Sequence, residues 1–113
     1  MDYAIEIKFQ ELKKKLEPEF GPDLDVQAIL YLVGVQELGQ GYIEFSKRQK
    51  LELMHIAICT ILVPYGYYSF ERVDEDGWPH FQTEKSLPSL DSKQQQHLIK
   101  EALVEYFDSV VEL

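Results

Sequence analysis

The sequence predicts a mainly α-helical fold: a four-helix bundle-like domain with a β-hairpin inserted between the third and fourth helices. Three observations support this prediction. Apolar residues recur at helical spacing in four segments, proline and glycine interrupt the chain between these segments, and two aromatic runs flank an acidic turn. The chain has 113 residues, of which 45% are hydrophobic, so we expect one domain over residues 1–113 that closes its own core.

The first helix is predicted over about residues 3–16. We expect the pair Pro18 and Pro22 around Gly21 to end it, because proline has no amide hydrogen and restricts the residue before it. The apolar positions that recur at helical spacing are Ile5, Phe9, Leu12 and Leu16.

The second helix is predicted over about residues 25–38. Asp25 is a suitable N-cap, and Gly39 is a suitable left-handed terminator. Residues 28–35 are apolar on every face, so neighbouring elements must cover this helix on most sides.

The third helix is predicted over about residues 47–63. Ser46 and Gln49 have the spacing of a capping box, and Pro64 and Gly66 stop the helix. The positions expected to face the core are Leu51, Met54, Ile58, Ile61 and Leu62.

A hairpin is predicted over about residues 67–83, because two aromatic runs flank the four-residue turn 74–77. We expect the side that carries Phe70 and Phe81 to pack on the helices, and Pro79 to mark the second strand as an edge. The register that follows pairs Val73 with Trp78, Glu71 with His80, Phe70 with Phe81 and Tyr68 with Thr83.

The fourth helix is predicted over about residues 92–111. Asp91 and Gln94 repeat the capping pattern that precedes the third helix. Its apolar stripe is Ile99, Ala102, Leu103, Tyr106 and Val110.

The charge balance and the apolar runs exclude several functions. Twenty acidic against 11 basic residues give a net charge of −9, which repels polyphosphates and argues against general nucleic-acid binding. The start has no secretory signal, and the runs 28–35 and 56–63 are far shorter than the roughly 20 residues of a membrane helix. Cys59 is the single cysteine, so no internal disulfide forms. We expect a cytoplasmic protein with no membrane contact.

Three segments, residues 53–60, 64–68 and 74–80, resemble a small family of uncharacterised proteins from Bacteroidetes-type bacteria. The resemblance covers the middle third to half of the chain. It implies a bacterial cytoplasmic setting and brings no assigned activity.

A metal site on the third helix is one candidate for function. Glu52, His55 and Cys59 share a helix face, and Glu-x-x-His is the spacing by which helical bundles bind iron or manganese. A metal centre needs more ligands than these, which a symmetric homodimer would have to supply. The alternative is that His55 hydrogen-bonds at the edge of the core and Cys59 packs as a small apolar residue.

An anion site at the start of the same helix is a second candidate. Cations in the first turn of a helix interact unfavourably with the helix dipole. A bound phosphate or carboxylate would offset this interaction. The alternative is that these side chains are solvated or pair with acidic neighbours. The candidate residues are Ser46, Lys47, Arg48 and Lys50.

Aromatic density is the third candidate feature. One face of a small hairpin has nothing in the chain to cover it, so a protein partner or a second copy would have to do so. The residues predicted to contact a partner are Tyr65, Tyr67, Trp78 and His80.

No nucleophile with an adjacent base and no pair of catalytic carboxylates follows from the sequence, so no catalytic residue and no cofactor is predicted. We therefore interpret the chain as a non-enzymatic interaction module that forms homo-oligomers or binds a protein partner. The alternative is a small-ligand or metal-binding protein that uses the third helix.

Overall fold

The predicted order of elements is confirmed by the structure, a computed structural model that describes residues 3–41 and 43–110, the last without its side chain. Two antiparallel strands lie between the third and fourth helices. The predicted helix end at residue 111 lies outside the described residues. The helices are α1 (Tyr3–Phe20), α2 (Val26–Leu38), α3 (Lys47–Leu62) and α4 (Ser92–Val110), and the strands are β1 (Tyr68–Val73) and β2 (Pro79–Thr83).

None of the helices in the described parts of the chain is long and apolar enough to cross a bilayer.

The structure forms two compact units, and the first consists of residues 3–26 and 89–110. In this unit α1 packs against α4. The Lys100 ammonium lies 2.9 Å from a carboxylate oxygen of Glu6 and 5.2 Å from the centre of the Phe9 ring. The buried side chains of the two helices are Phe9, Leu12, Ala102, Leu103, Val104 and Tyr106, while Ile5, Leu16 and Ile99 are half-buried. The side chain of Val110 lies outside the described part.

The predicted end of α1 at about residue 16 is wrong, because the helix continues through Pro18 to Phe20. Proline removes the bond that its own amide would donate one turn back and its ring crowds that carbonyl, but only two residues of the helix follow Pro18, so the disturbance is confined to its end. The true terminator is Gly21, whose φ of 92° is left-handed and whose amide donates to the Glu17 carbonyl at 2.8 Å.

The second unit, residues 27–88, holds the hairpin, α3 and nearly all of α2. The backbones of α2 and α3 approach so closely that a methyl group at Gly34 would collide with the carbonyl of Leu53. Leu53 is therefore at the centre of the buried face of α3. The predicted stripe is confirmed at Ile61 and Leu62, which are buried, and wrong in the first half of α3. Leu51 is 64% exposed there, whereas Leu53, Ile56 and Ala57 are buried.

The predicted caps of α3 and α4 are confirmed. Ser46 Oγ accepts the amide of Gln49 at 3.1 Å, and Gln49 Oε1 accepts the amide of Ser46 at 2.9 Å. Asp91 and Gln94 form the same reciprocal pair, at 2.8 and 3.0 Å. Both helices therefore begin where the sequence places them.

The register of the hairpin is confirmed at its open end and corrected near the turn. Tyr68 pairs with Thr83 and Phe70 with Phe81, as predicted, but Val73 pairs with Pro79 and Arg72 with His80. The turn is a three-residue loop, closed where the Asp74 amide donates to the Trp78 carbonyl at 2.9 Å, with Gly77 left-handed at φ 87°. Asp74 thus joins the ladder. A bulge at Glu71 absorbs the resulting one-residue offset.

The predicted orientation of the hairpin is also wrong. Phe81 and Pro79 are two residues apart on β2 and share one face, so their partners Phe70 and Val73 share that face too. We call this the outer face: Tyr68, Phe70, Val73, Pro79, Phe81 and Thr83. Phe70 is 57% exposed and Val73 is 55% exposed, so these two residues do not pack on the helices, while Tyr68, Pro79 and Phe81 are half-buried. The opposite face, with Trp78 and His80, turns toward α3.

Candidate functional site: a groove beside α3 and the outer face of the hairpin

A groove of about 310 Å³ lies between α3 and the turn of the hairpin, within the second unit. One wall is the first half of α3, where the capping box fixes the start of the helix. The other wall is the turn and the first residues of β2. The lining residues, to which we refer as the groove, are Gln49, Glu52, His55, Ile56, Asp74, Asp76, Trp78, Pro79 and His80.

Asp74 organises the turn wall of the groove. Its Oδ1 accepts the amides of Asp76 at 2.9 Å and of Trp78 at 3.0 Å, and its Oδ2 lies 2.8 Å from His80 Nε2. The hydrogen bond with His80, followed by the bond from the Trp78 amide, lowers the pKa of Asp74 below its ordinary value. Asp74 is therefore a carboxylate at neutral pH that holds both the loop and the imidazole.

The turn is also tied to the segment after α2. The side-chain amide of Gln40 donates to the Asp76 carbonyl at 2.9 Å. Because this bond joins residues far apart in the chain, it fixes the turn from outside, while Asp74 fixes it from within. The turn wall is thus held at two points before any ligand binds.

Trp78 connects the groove to the core of the second unit. Its ring meets the Phe45 ring edge to face, with 6.3 Å between the ring centres. Phe45 meets Tyr31 in the same way, with 6.5 Å between the centres. The buried residues beneath these rings are Val35, Leu38, Phe45 and Leu53. The prediction that Trp78 lies on an uncovered face is wrong, because the ring is half-buried against its own chain.

The structure brings only part of the predicted metal site together. His55 Nε2 lies 3.5 Å from Cys59 Sγ, while Glu52 is exposed at the groove. Burial raises the pKa of the Cys59 thiol to about 11, so the sulfur stays protonated and is a poor ligand. Across residues 3–41 and 43–110, no three His, Cys, Asp or Glu side chains are grouped to hold a metal ion. The alternative interpretation of Cys59, a small packed residue, agrees with its 1% exposure.

The residues of the predicted anion site lie at the start of α3, outside the groove. Lys47, Arg48 and Lys50 are exposed, and the Ser46 hydroxyl is the acceptor in the capping box. None of these four residues lines the groove. The anion site stays a prediction.

The four predicted contact residues do not form one surface. Trp78 and His80 line the groove, and the Tyr67 ring lies under the ammonium of Lys85, 4.7 Å from the ring centre. Tyr65 is half-buried in the short 3₁₀ turn Val63–Tyr65.

Sequence reasoning placed Phe70 against the helices and so missed the outer face, on which Phe70 is exposed beside Val73. The missing signal was Gly77 three residues after Asp74, since a glycine there is typical of a three-residue loop with an asparagine or aspartate closing it. That loop moves the ladder by one residue and places Val73 beside Phe70.

The chain matches none of the protein-family models, curated proteins or solved structures with which we compared it. The resemblance to a bacterial family stays a prediction.

Proposed function

We propose that the chain is a non-enzymatic interaction module that self-associates through the outer face of its hairpin. The observation that carries the proposal is the exposure of Phe70 and Val73, at 57% and 55%, side by side on this face. Exposed apolar residues that form a continuous surface are typical of interaction sites, whereas single exposed residues need no explanation.

The charge distribution supports a second copy of the chain as the partner. A net charge of −9 opposes self-association over most of the surface, because like charges repel. The six residues of the outer face carry no charge, so two copies can approach there without bringing acidic groups into contact. A two-fold axis presents the same patch from both copies, which suits a small apolar surface.

The rings of the outer face also support a contact role. The rings of Phe70 and Phe81 meet edge to face, with 6.0 Å between their centres, so each ring restrains the other before a partner binds. A pre-positioned aromatic pair costs little conformational entropy on binding and is a common centre of protein interfaces.

Light scattering coupled to size exclusion tests the proposal across a range of concentrations. We expect a dimer in the wild type and a monomer at the same concentration for Phe70→Glu, because each copy would bury a charge. The dissociation constant should rise about tenfold or more.

Leu51→Glu is the matched control, since Leu51 is 64% exposed and lies on α3 away from the outer face. It changes the net charge by the same amount and should leave the dimer intact. A wild-type monomer at high concentration, or a dimer that survives Phe70→Glu, would overturn the proposal.

A further inference from the structure

We propose that the groove binds a small organic cation with two positive charges separated by a short apolar chain, such as an alkyl diamine. The groove lies on the side of the hairpin that carries Trp78 and His80, with Pro79 of the outer face at its border, and the inference does not depend on self-association. It assigns a ligand class to residues that the proposed function leaves unused.

Negatively charged side chains stand on both walls of the groove. Glu52 stands on the α3 wall, and Asp74 and Asp76 stand on the turn wall. No lysine or arginine is among the described residues that line the groove. A ligand with one cationic group at each end can pair with both walls at once.

The arrangement of these carboxylates favours an organic cation over a metal ion. A metal needs ligands that converge on one point, and no three candidate side chains converge in this way within the described residues. The same carboxylates are instead divided between the two walls. Such a division suits a ligand that carries its charges at its two ends.

An apolar surface lies between the two walls of the groove. Trp78, Ile56 and Pro79 contribute to the lining, and Ile56 is 5% exposed. The methylene groups of a diamine can lie on such a surface, and an indole ring attracts an ammonium group. The volume of about 310 Å³ is at the lower end of the range for ligand sites, which suits a small molecule.

The turn wall is already ordered in the free protein. Asp74 bonds to two amides and to His80, and Gln40 holds the Asp76 carbonyl. A wall fixed in the free protein does not have to be ordered on binding, so less of the attraction between charges is lost.

Fluorescence provides a direct test, because Trp78 is the single tryptophan of the chain and forms part of the groove. We expect 1,4-diaminobutane to change the tryptophan emission in a saturable way. Butane-1,4-diol, which has the same length and no charge, should not do so, and neither should potassium chloride at equal ionic strength. Calorimetry on the same samples measures binding independently of the emission.

Glu52→Gln is the informative variant, because it removes the charge of the α3 wall on an exposed side chain and keeps its size. The dissociation constant for the diamine should rise about two- to fivefold, as expected for one exposed ion pair. Glu105→Gln, an exposed acidic position on α4 that does not line the groove, makes the same change in net charge and should leave the affinity unaltered.

Three results would overturn the inference: no emission change and no heat with the diamine, an equal response to the diol or the salt, or equal weakening by Glu52→Gln and Glu105→Gln. Light scattering on the same samples separates this outcome from that of the proposed function. A dimer that does not bind the diamine refutes the groove alone, and a monomer that binds it refutes self-association alone.

Discussion

The two faces of the hairpin come from the same two strands but have opposite environments. On the groove side, Trp78 packs on Phe45, and His80 bonds to Asp74. On the outer face, Phe70 and Val73 are more than half exposed. The groove side is thus a built surface of hydrogen bonds and packed rings, whereas the outer face is an apolar surface that its own chain leaves open.

The comparison shows that aromatic residues alone do not identify the covered face of a small sheet. Both faces carry large rings, so hydrophobicity does not choose between them. Residues that link a ring to a polar network make the difference: Asp74 bonds to the Trp78 amide and to His80, and this anchors one face only. On the other face, the rings of Phe70 and Phe81 meet edge to face, and Phe70 is 57% exposed.

Among the variants that test the difference between the two faces, Trp78→Ala is expected to have the largest effect. Removal of a fully buried large ring costs about 3–5 kcal/mol, and Trp78 is half-buried, so we expect a loss of about 2 kcal/mol in the free energy of unfolding. Urea denaturation followed by circular dichroism measures it, at a concentration where light scattering finds a monomer.

Phe70→Ala is the matched control on the other face, and it should change the free energy of unfolding of the monomer by no more than about 0.5 kcal/mol. Equal losses for the two variants would show that the faces are equally buried. The assignment of an open outer face would then be incorrect.

A smaller effect is expected from the charge of Asp74. Its pKa is lowered in the folded protein from the ordinary 3.8, so folding favours the ionised form. This contribution is complete above the unfolded pKa and is lost as the pH falls through 3.8 toward the lower folded value. The variant Asp74→Asn keeps an acceptor for the two amides but cannot be ionised.

The measurement is the free energy of unfolding of both proteins as a function of pH. Wild type should be the more stable protein above about pH 5, and its advantage should shrink in more acidic solution. An advantage that persisted unchanged down to the lowest pH at which both proteins fold would contradict the role given to the carboxylate.

The smallest effect is expected from deletion of Glu71. This residue is the extra one in the bulge, so its removal leaves Phe70 opposite Phe81, Arg72 opposite His80 and Val73 opposite Pro79. We expect both faces to be preserved and the free energy of unfolding to change by less than about 1 kcal/mol.

Deletion of Gln82 is the corresponding control, because Gln82 pairs with Ser69 in the ladder. Its loss shifts the register by one residue and turns the following side chains to the wrong face. If both deletions were equally damaging, the bulge would have a structural role of its own.

Much of the fold was predictable from local signals. The reciprocal pair of Ser46 with Gln49, and that of Asp91 with Gln94, fixed the starts of α3 and α4. Their geometry depends only on residues within one turn, and the sequence contains all of them. The end of α1 was harder, because a proline in the last turn costs little, and Gly21 decides the end.

The rotation of α3 and the orientation of the hairpin depend on contacts between distant segments. Leu53 is buried because Gly34, 19 positions earlier, lets α2 approach its backbone. Glu52 and His55 were recognised as neighbours on a helix, but that helix could not indicate that Asp74 and His80 stand across a groove from them. Spacing along a helix predicts which residues share a face, and only the tertiary structure supplies the opposite wall.

Cys59 has one more consequence for the study of this molecule. It is the chain's single thiol, it is 1% exposed, and its pKa is about 11. A thiol-specific label can therefore react only when α3 opens enough to admit solvent, and the labelling rate counts those openings. The labelling rate of Cys59 thus measures local unfolding of α3, and no cysteine has to be introduced for this measurement.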